Sequence, residues 1–387
     1  MNGKQAAESL CFYSPVSQGG AAWYVAALAG ALARAGARVE FIAPEISPVE
    51  REPRHPNIRR RMLSRGGGGS GNTLARAIKS AARVASTFPL FAGARRRNRE
   101  FIVTFYDWLP IQIAQFVWIK ALGGRLTYIV HDTTPHAWRF PGPLIWLEKR
   151  IQRWSYQLPD RVVTLTGAAR RDLADNWGRS DNVHVIPHGA FDEGAPAPLP
   201  VGDRLLLFGM LRRNKNIATT IEAVRSLVDR RPDLSLHIAG ARHVEDWGYW
   251  DECEARIGDG RGIVTEIGFV EEERLREILA QSAAVVLPYE DFTSASGVAI
   301  LTVFSGRVLV TTDVGGMSEL IARGVRAVPI SLPVTPATIA EAIDRFCAIP
   351  QAEREAMVRS SRAALVDYLS WDRIGRVYAD LLRGRPI

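Results

Sequence analysis

Short apolar runs alternate with amphipathic stretches along most of the chain. Leu10 to Tyr13 is apolar and Ser14 to Gly20 is turn-rich. Ala21 to Ala35 carries apolar residues at helical recurrence until Gly36 ends it, and Arg38 to Ala43 is the next apolar run. This order predicts strand, glycine turn, helix, strand, the opening unit of a parallel sheet covered by helices on both faces. The pattern lapses over Pro44 to Asn72, which is rich in Pro, Arg and Gly and reads as loop. Leu74 to Val84 then predicts a helix with Arg76, Lys79 and Arg83 on one side. Alternation resumes at Phe101, with strands expected at 101–105, 126–130, 161–165 and 183–186 and helices at 111–121, 144–156 and 168–177.

Three prolines between Ala195 and Pro200 read as an interdomain linker, after which the pattern restarts. Strands are expected at 204–208, 235–239, 264–268, 284–287, 308–311 and 327–329. Helices are expected at 217–230, 272–281, 297–304 and 317–323, then at 336–347, 351–369 and 371–382. The fold class is α/β: two Rossmann-like doubly wound domains, 1–195 and 201–369, facing a cleft. Residues 370–387 form a last helix expected to pack back on the first domain. The chain's 387 residues suit such a division at roughly 150 residues per domain, and strand C-termini are where such folds place ligands.

Composition is that of an ordinary globular protein, 47% hydrophobic and 23% charged, which excludes wholesale disorder. Cys11, Cys253 and Cys347 are far apart with no paired spacing, so neither a disulfide framework nor a zinc site is expected. Together with an N-terminus lacking a signal-like pattern, they give a cytoplasmic expectation. The most apolar window, Phe101 to Leu122, is interrupted by Asp107, Pro110, Gln112, Gln115 and Lys120, so no spanning helix is expected. The net charge of +8 is unevenly spread: residues 51–100 hold thirteen Lys/Arg against Glu52 and Glu100, leaving the remainder slightly acidic. Such an insert favours an anionic membrane face or a polyanion. The apolar positions Leu74, Ile78, Val84, Phe88, Leu90 and Phe91 would enter the interface, and a solvated basic loop is the bland alternative.

Candidate chemistry collects at strand ends. Gly19 and Gly20 separate the first strand and helix, where free amides can meet an anion or sugar hydroxyls; a plain tight turn would look the same. Gly66 to Gly71 spells GxGxxG but follows no clear strand, so it reads as linker. Phe208 to Asn216 follows a strand and opens a helix. It brings Gly209, Arg212, Arg213 and Lys215 to one edge, where a planar fork and a point charge suit a departing diphosphate, unless they are solvated loop cations. Two further loop-to-helix junctions, at Gly297 and at Gly315-Gly316, offer amides and positive dipole ends, with Thr293, Ser294 and Ser296 adding hydroxyls or serving as caps.

Taken in order, these segments resemble the group 1 glycosyltransferases of GT-B architecture, the retaining family-four type, over nearly the whole length. The resemblance rests on Gly19-Gly20, Val130-His131-Asp132, Val163-Thr164-Leu165-Thr166 and Val185-Ile186-Pro187-His188-Gly189, which is similar to the family's VIPNG. It rests also on Phe208 to Asn216 (FGxIRxYKN), Gly315-Gly316-Met317-Ser318-Glu319 (GGxxE) and Ser370-Trp371-Asp372. It implies an N-terminal acceptor domain and a C-terminal nucleotide-sugar domain. A hexose would move from a UDP- or GDP-linked donor to a saccharide or lipid-linked acceptor, in bacterial surface or exopolysaccharide synthesis, with no metal and no other cofactor. Arg212 and Lys215 would neutralise the diphosphate, helped by amides at Gly315 and Gly316. Gly209, Ser294, Ser296, Gly297 and Glu319 would contact the donor, and His131 would orient its sugar.

The family's Glu-x7-Glu pair is replaced by Ser294 and Thr302, as in a subset that includes bacterial exopolysaccharide mannosyltransferases. Glu290 or Asp291 could compensate or could equally be solvated loop residues, and Asp107 or Asp132 could serve as general base if the enzyme inverts. Trp146, Trp154, Trp177 and Trp371 are expected to pack rather than to hold sugars. Two other readings stay open, a GT-B sugar-nucleotide epimerase and a non-catalytic sugar-nucleotide-binding protein. Nucleic-acid binding is disfavoured because no recognisable module surrounds the basic insert.

Overall fold

The computed structural model describes residues 9–64, 73–106, 108–135, 138, 140–191, 194–243, 246 and 248–387, the side chains of 73–78 excepted. Asp107, the Gly66 to Gly71 run and the side chains of Leu74 and Ile78 lie outside these. The chain divides into two compact units, Met1–Gly189 with Leu369–Ile387, and Ala190–Tyr368.

The N-terminal unit holds β1 (Ser9–Tyr13), α1 (Gly19–Arg34), β2 (Arg38–Pro44), β3 (Ile58–Leu63), α2 (Thr73–Arg95), β4 (Glu100–Thr104) and α3 (Leu109–Ala121). It continues with β5 (Arg125–Val130), α4 (Ile145–Gln157), β6 (Arg161–Thr164), α5 (Gly167–Trp177) and β7 (Val183–Val185). The sheet runs β3-β2-β1-β4-β5-β6-β7, with every pair parallel. Strand order reverses at β1, so the loops after β1, β4 and β5 emerge side by side, where such sheets bind ligands.

The C-terminal unit repeats the plan with β8 (Arg204–Phe208), α6 (Ile217–Arg225), β9 (Ser235–Gly240), α7 (Tyr249–Ile257), β10 (Ile263–Ile267), α8 (Glu272–Gln281) and β11 (Ala284–Leu287). Then come α9 (Gly297–Phe304), β12 (Val308–Thr312), α10 (Gly315–Ala322), β13 (Ala327–Ile330), α11 (Pro336–Ala348) and α12 (Gln351–Leu365). Its parallel sheet runs β10-β9-β8-β11-β12-β13, again reversing at the first strand. The inner strands of both sheets are buried and mainly apolar, as strands covered on two faces must be, whereas the edge strands β3 and β10 carry exposed polar residues.

The last helix, α13 (Trp371–Leu382), returns to the N-terminal unit and lies against α1. Small residues permit this: a Cβ on Gly375 would sit 2.4 Å from the Ala31 carbonyl oxygen. Arg34 pairs with Asp372 at 2.7 Å along the edge of the contact.

Helices α6 and α12 end four to five residues before the expected bounds, and three elements depart further from the sequence expectation. The Pro44 to Asn72 loop contains an edge strand, β3, whose alternation is hidden because its half-buried positions are arginines. Arg60 lies over the Phe41 ring, donates to the Ala43 carbonyl at 2.7 Å and pairs with Glu52 at 3.1 Å. Helix α2 runs past Pro89 to Arg95 instead of ending at Val84, because Phe91 and Ala94 are fully buried against the sheet and carry it across the missing donor. Helix α7 has no counterpart in the expectation; Tyr249, Trp250 and Cys253, its buried face, fill the C-terminal core.

The basic insert is also less available than its count suggests. Arg61 and Arg97 both pair with the buried Glu40, at 3.3 and 2.6 Å, and Arg83 is buried. Of the apolar positions expected at an interface, Phe91 is core and Leu90 packs on it, while Phe88 lies against Trp118. Among the described residues, no helix is long and apolar enough to cross a membrane.

Candidate functional site

In the C-terminal unit the chain leaves β8 through Gly209 at φ +107°, a conformation that favours glycine. Close approach adds a second reason: a Cβ there would lie 2.7 Å from Lys215 Nζ, and one on Gly240 would lie 2.0 Å from the Gly209 carbonyl oxygen. The Gly209 amide donates to Ala239 and the Leu211 amide to Ala241, tying this loop to the end of β9. A single 3-10 turn over Arg213–Lys215 then folds Lys215 back so that its buried ammonium donates to the Phe208 carbonyl at 2.6 Å. Burial, then the neighbouring Arg212 charge, pushes its pKa down to about 7. Asn216, in the left-handed region, closes the turn and donates from Nδ2 to the Pro288 carbonyl at 2.8 Å, joining the loop to β11.

The three cations of this loop are not equivalent. Arg213 points onto α7 and the turn before it, pairing with Asp246 ahead of the helix and with Glu252 on it, and lies over Tyr249. Arg212 and Lys215 remain neighbours, and Arg212 also lies near enough to Tyr289 to lower its pKa, against the larger upward push of burial.

The loop from Glu290 to Ser296 is built mainly for its own order. Tyr289 and Phe292 stack at 4.2 Å, and the Phe292 carbonyl accepts from the Gly316 amide at 3.2 Å. One of the amides expected to serve a phosphate is therefore committed to the protein. Gly315, at φ +47°, lies so close that a Cβ would reach 1.7 Å from the Phe292 oxygen. Ser296 is the N-cap of α9, accepting from the Ala299 amide at 3.1 Å, while Gly297 beside it opens onto free space. Ser294 is buried, and Thr302, fully buried, returns its hydroxyl to the Val298 carbonyl at 2.7 Å. Glu290 accepts from the Val334 amide at 3.0 Å, so its carboxylate anchors the start of α11. Glu319 is half-buried on α10.

In the N-terminal unit His131 follows β5 and is half-buried. Its Nε2 shares a hydrogen bond with Thr104 Oγ1 at 3.0 Å, and its ring stacks on Phe105 at 4.0 Å. Phe105 sits at φ +58°, rare for a residue with a side chain and a form of strain that collects at functional positions. Tyr24 of α1, fully buried, meets His131 edge-on at 4.7 Å, His188 at 4.9 Å and Trp371 at 5.5 Å, and its hydroxyl lies 3.4 Å from that of Tyr378. His188 donates from Nδ1 to the Gly189 carbonyl at 2.7 Å. Desolvation holds both imidazoles neutral, His188 pushed down to about 4 and His131 well below its ordinary value, with the His188 charge as second cause. A Cβ on Gly189 would lie 2.4 Å from the Trp371 ring, so the glycine after His188 and the tryptophan opening α13 form one contact.

Sequence reasoning singled out His131 and expected Trp371 to pack, as it does against Tyr24 and Gly189, but it missed Tyr24 and Phe105. The signal was the pairing of the Pro187-His188-Gly189 and Ser370-Trp371 segments, which only contact explains. Gly19 and Gly20 begin α1, Gly19 at φ +70°, with open space where their Cβ atoms would be. Asp132 is exposed, and Asp107 lies outside the described residues.

Residues 18–193 match the family model of Glycosyltransferase Family 4, and residues 202–348 that of glycosyl transferases group 1. A glycogen synthase of Mycobacterium tuberculosis is 24% identical over 300 residues, covering 75% of this chain and 70% of that one. Among solved structures, HepE of Anabaena in complex with UDP and glucose superposes with a TM-score of 0.72 at 15% identity, covering 97% of this chain and 100% of that one. Sucrose-phosphate synthase of Thermosynechococcus elongatus gives 0.72 at 16% identity, over 97% of this chain and 98% of that one. One family model matches each unit, that of Glycosyltransferase Family 4 the N-terminal one and that of glycosyl transferases group 1 the C-terminal one, and the solved structures share the two-domain GT-B fold of this chain.

Proposed function

We propose that the protein transfers a hexose from a nucleotide-sugar donor to a saccharide or lipid-linked acceptor, in the synthesis of a bacterial surface or exopolysaccharide. The observation that carries this reading is the pairing of Arg212 with a buried Lys215 on the glycine-lined loop after β8. As the bond from sugar to diphosphate lengthens, charge builds on the leaving oxygens. A preorganised fork and a point charge stabilise that charge without reorganising solvent. Lys215 completes the response by holding its proton once the diphosphate is bound. His131, neutral and fixed by Thr104, Phe105 and Tyr24, would act on the sugar by hydrogen bonding rather than by charge.

The neighbour solved with UDP and glucose makes UDP-hexoses the first donors to try. The absence of the Glu-x7-Glu pair sets the reading toward the subset similar to exopolysaccharide mannosyltransferases. Thermal-shift screening with UDP-, GDP- and ADP-sugars, followed by transfer of labelled sugar to extracted lipid or saccharide acceptors, tests the proposal. Stabilisation by one nucleotide class and label in the acceptor fraction are expected. Donor turnover without any acceptor would assign an epimerase instead, and nucleotide binding with no turnover a non-catalytic binding protein.

A further inference from the structure

Helix α4 is amphipathic in the reverse sense. Its buried face is polar, comprising Glu148, Gln152, Ser155 and Tyr156. These side chains hold the loop that follows His131: Glu148 accepts from the Phe140 amide at 2.9 Å, and Tyr156 donates to the Thr133 carbonyl at 2.6 Å. Its outer face carries Trp146, Lys149, Arg150, Arg153 and Trp154, at the spacing that lines one side of a helix. Trp146 is 61% exposed, Trp154 47% and the preceding Leu144 45%. Core packing accounts for none of them. The only carboxylate of the helix is the inward-turned Glu148, so the outer face is cationic and aromatic with no anion. Arg150 lies 5.5 Å over Trp154, and Lys149 5.5 Å over Trp138. Helix α3, which packs beside α4, has no carboxylate either and exposes Val117 and Trp118.

Cations on flexible stems beside amphipathic indole rings match the headgroup level of an anionic bilayer, where rings insert shallowly and cations meet phosphates. We propose that the outer face of α4, extended by Val117 and Trp118 of α3, docks the protein on an anionic membrane surface. This assigns docking to α4 rather than to the 51–100 insert, whose arginines are partly spent on Glu40 and Glu52. It deepens the transferase reading, because the same helix holds the His131 loop and a lipid-linked acceptor would be delivered beside it.

The test is co-sedimentation of the full chain with vesicles of phosphatidylcholine alone or with about 30 mol% phosphatidylglycerol, at low and high salt. Binding to the anionic vesicles only, weakened by salt, is expected. Lys149→Glu with Arg150→Glu should lower it about tenfold or more, and Trp146→Ser with Trp154→Ser about fivefold. Arg96→Glu with Arg99→Glu, on the insert, should leave it within about twofold. All these side chains are exposed, so unchanged melting temperatures will show that folding is intact. Equal binding to neutral vesicles, no binding by the wild type, or loss only in the insert variant would overturn the proposal. Self-association of the free chain that the tryptophan variant abolishes, without vesicle binding, would assign the face to a second copy. UDP-induced stabilisation measured on the same variants separates the two readings: its persistence leaves the transferase proposal standing whatever the vesicles show.

Discussion

The two units share a sheet plan, yet their candidate sites are built in opposite ways. In the C-terminal unit, nine consecutive residues from Phe208 to Asn216 supply the cations, the tight turn and the tie to β11. In the N-terminal unit, the cluster around His131 draws Tyr24 from α1, Phe105 after β4, His188 after β7 and Trp371 from α13. Anion recognition needs donors and charges at close quarters, which one strand-to-helix turn can provide. Holding a neutral imidazole needs low-dielectric walls on several sides, and only separate elements converging can supply them.

The largest effect that would break this contrast is on turnover. Arg212→Ala or Lys215→Ala should reduce transfer by on the order of 10² or more, since each removes a charge-assisted contact to the leaving group. Wild-type rates in both, at saturating donor, would remove the C-terminal loop from the chemistry. In the N-terminal unit the corresponding break is structural. Gly189→Ala drives a methyl group into Trp371 and should cost about 1–3 kcal/mol of stability by overpacking, read as a lowered melting temperature. No change in melting would mean that α13 is not locked through this contact.

Proton linkage sharpens the contrast further. Lys215 has a pKa of about 7 without ligand, and a bound diphosphate favours its charged form and raises that value. UDP affinity should therefore fall as pH rises above 7, by up to about tenfold per unit until the raised pKa is reached. Calorimetry at pH 8 in buffers of different ionisation enthalpy should register proton uptake on binding. His188 acts on stability with the opposite linkage. Its folded pKa of about 4 lies below the unfolded value near 6.5, so the unfolded chain binds more protons between them. Stability should drop as pH falls through that window, and less so in His188→Asn, as a pH series of melting temperatures would record. The smallest effect is expected for Arg213→Ala, whose pairs with Asp246, just before α7, and Glu252, on α7, are exposed. Turnover should stay within about twofold, with less than about 1 kcal/mol lost. A hundredfold loss of rate there would show that all three loop cations serve the donor.

What the sequence determined on its own is everything carried by local pattern. Continuous apolar runs between glycine turns define parallel strands, and helical recurrence defines the helices between them, because both periodicities belong to the backbone itself. The strand-to-helix placement of Gly209, Arg212 and Lys215 was legible for the same reason. Tertiary structure decided which of several equivalent residues face a ligand and which are consumed by packing. Arg213 turns to Glu252, Glu290 holds the Val334 amide and the Gly316 amide goes to Phe292. It also made a strand of the arginine-rich 58–63 segment by giving Arg60 the Phe41 ring and the carbonyls of Ala43 and Pro44, and it carried α2 beyond Pro89 through the burial of Phe91. These outcomes depend on partners remote in sequence, Trp371 on Gly189 and Tyr378 on Tyr24. Contact free energies of that kind exist only once the sheet has brought the partners together.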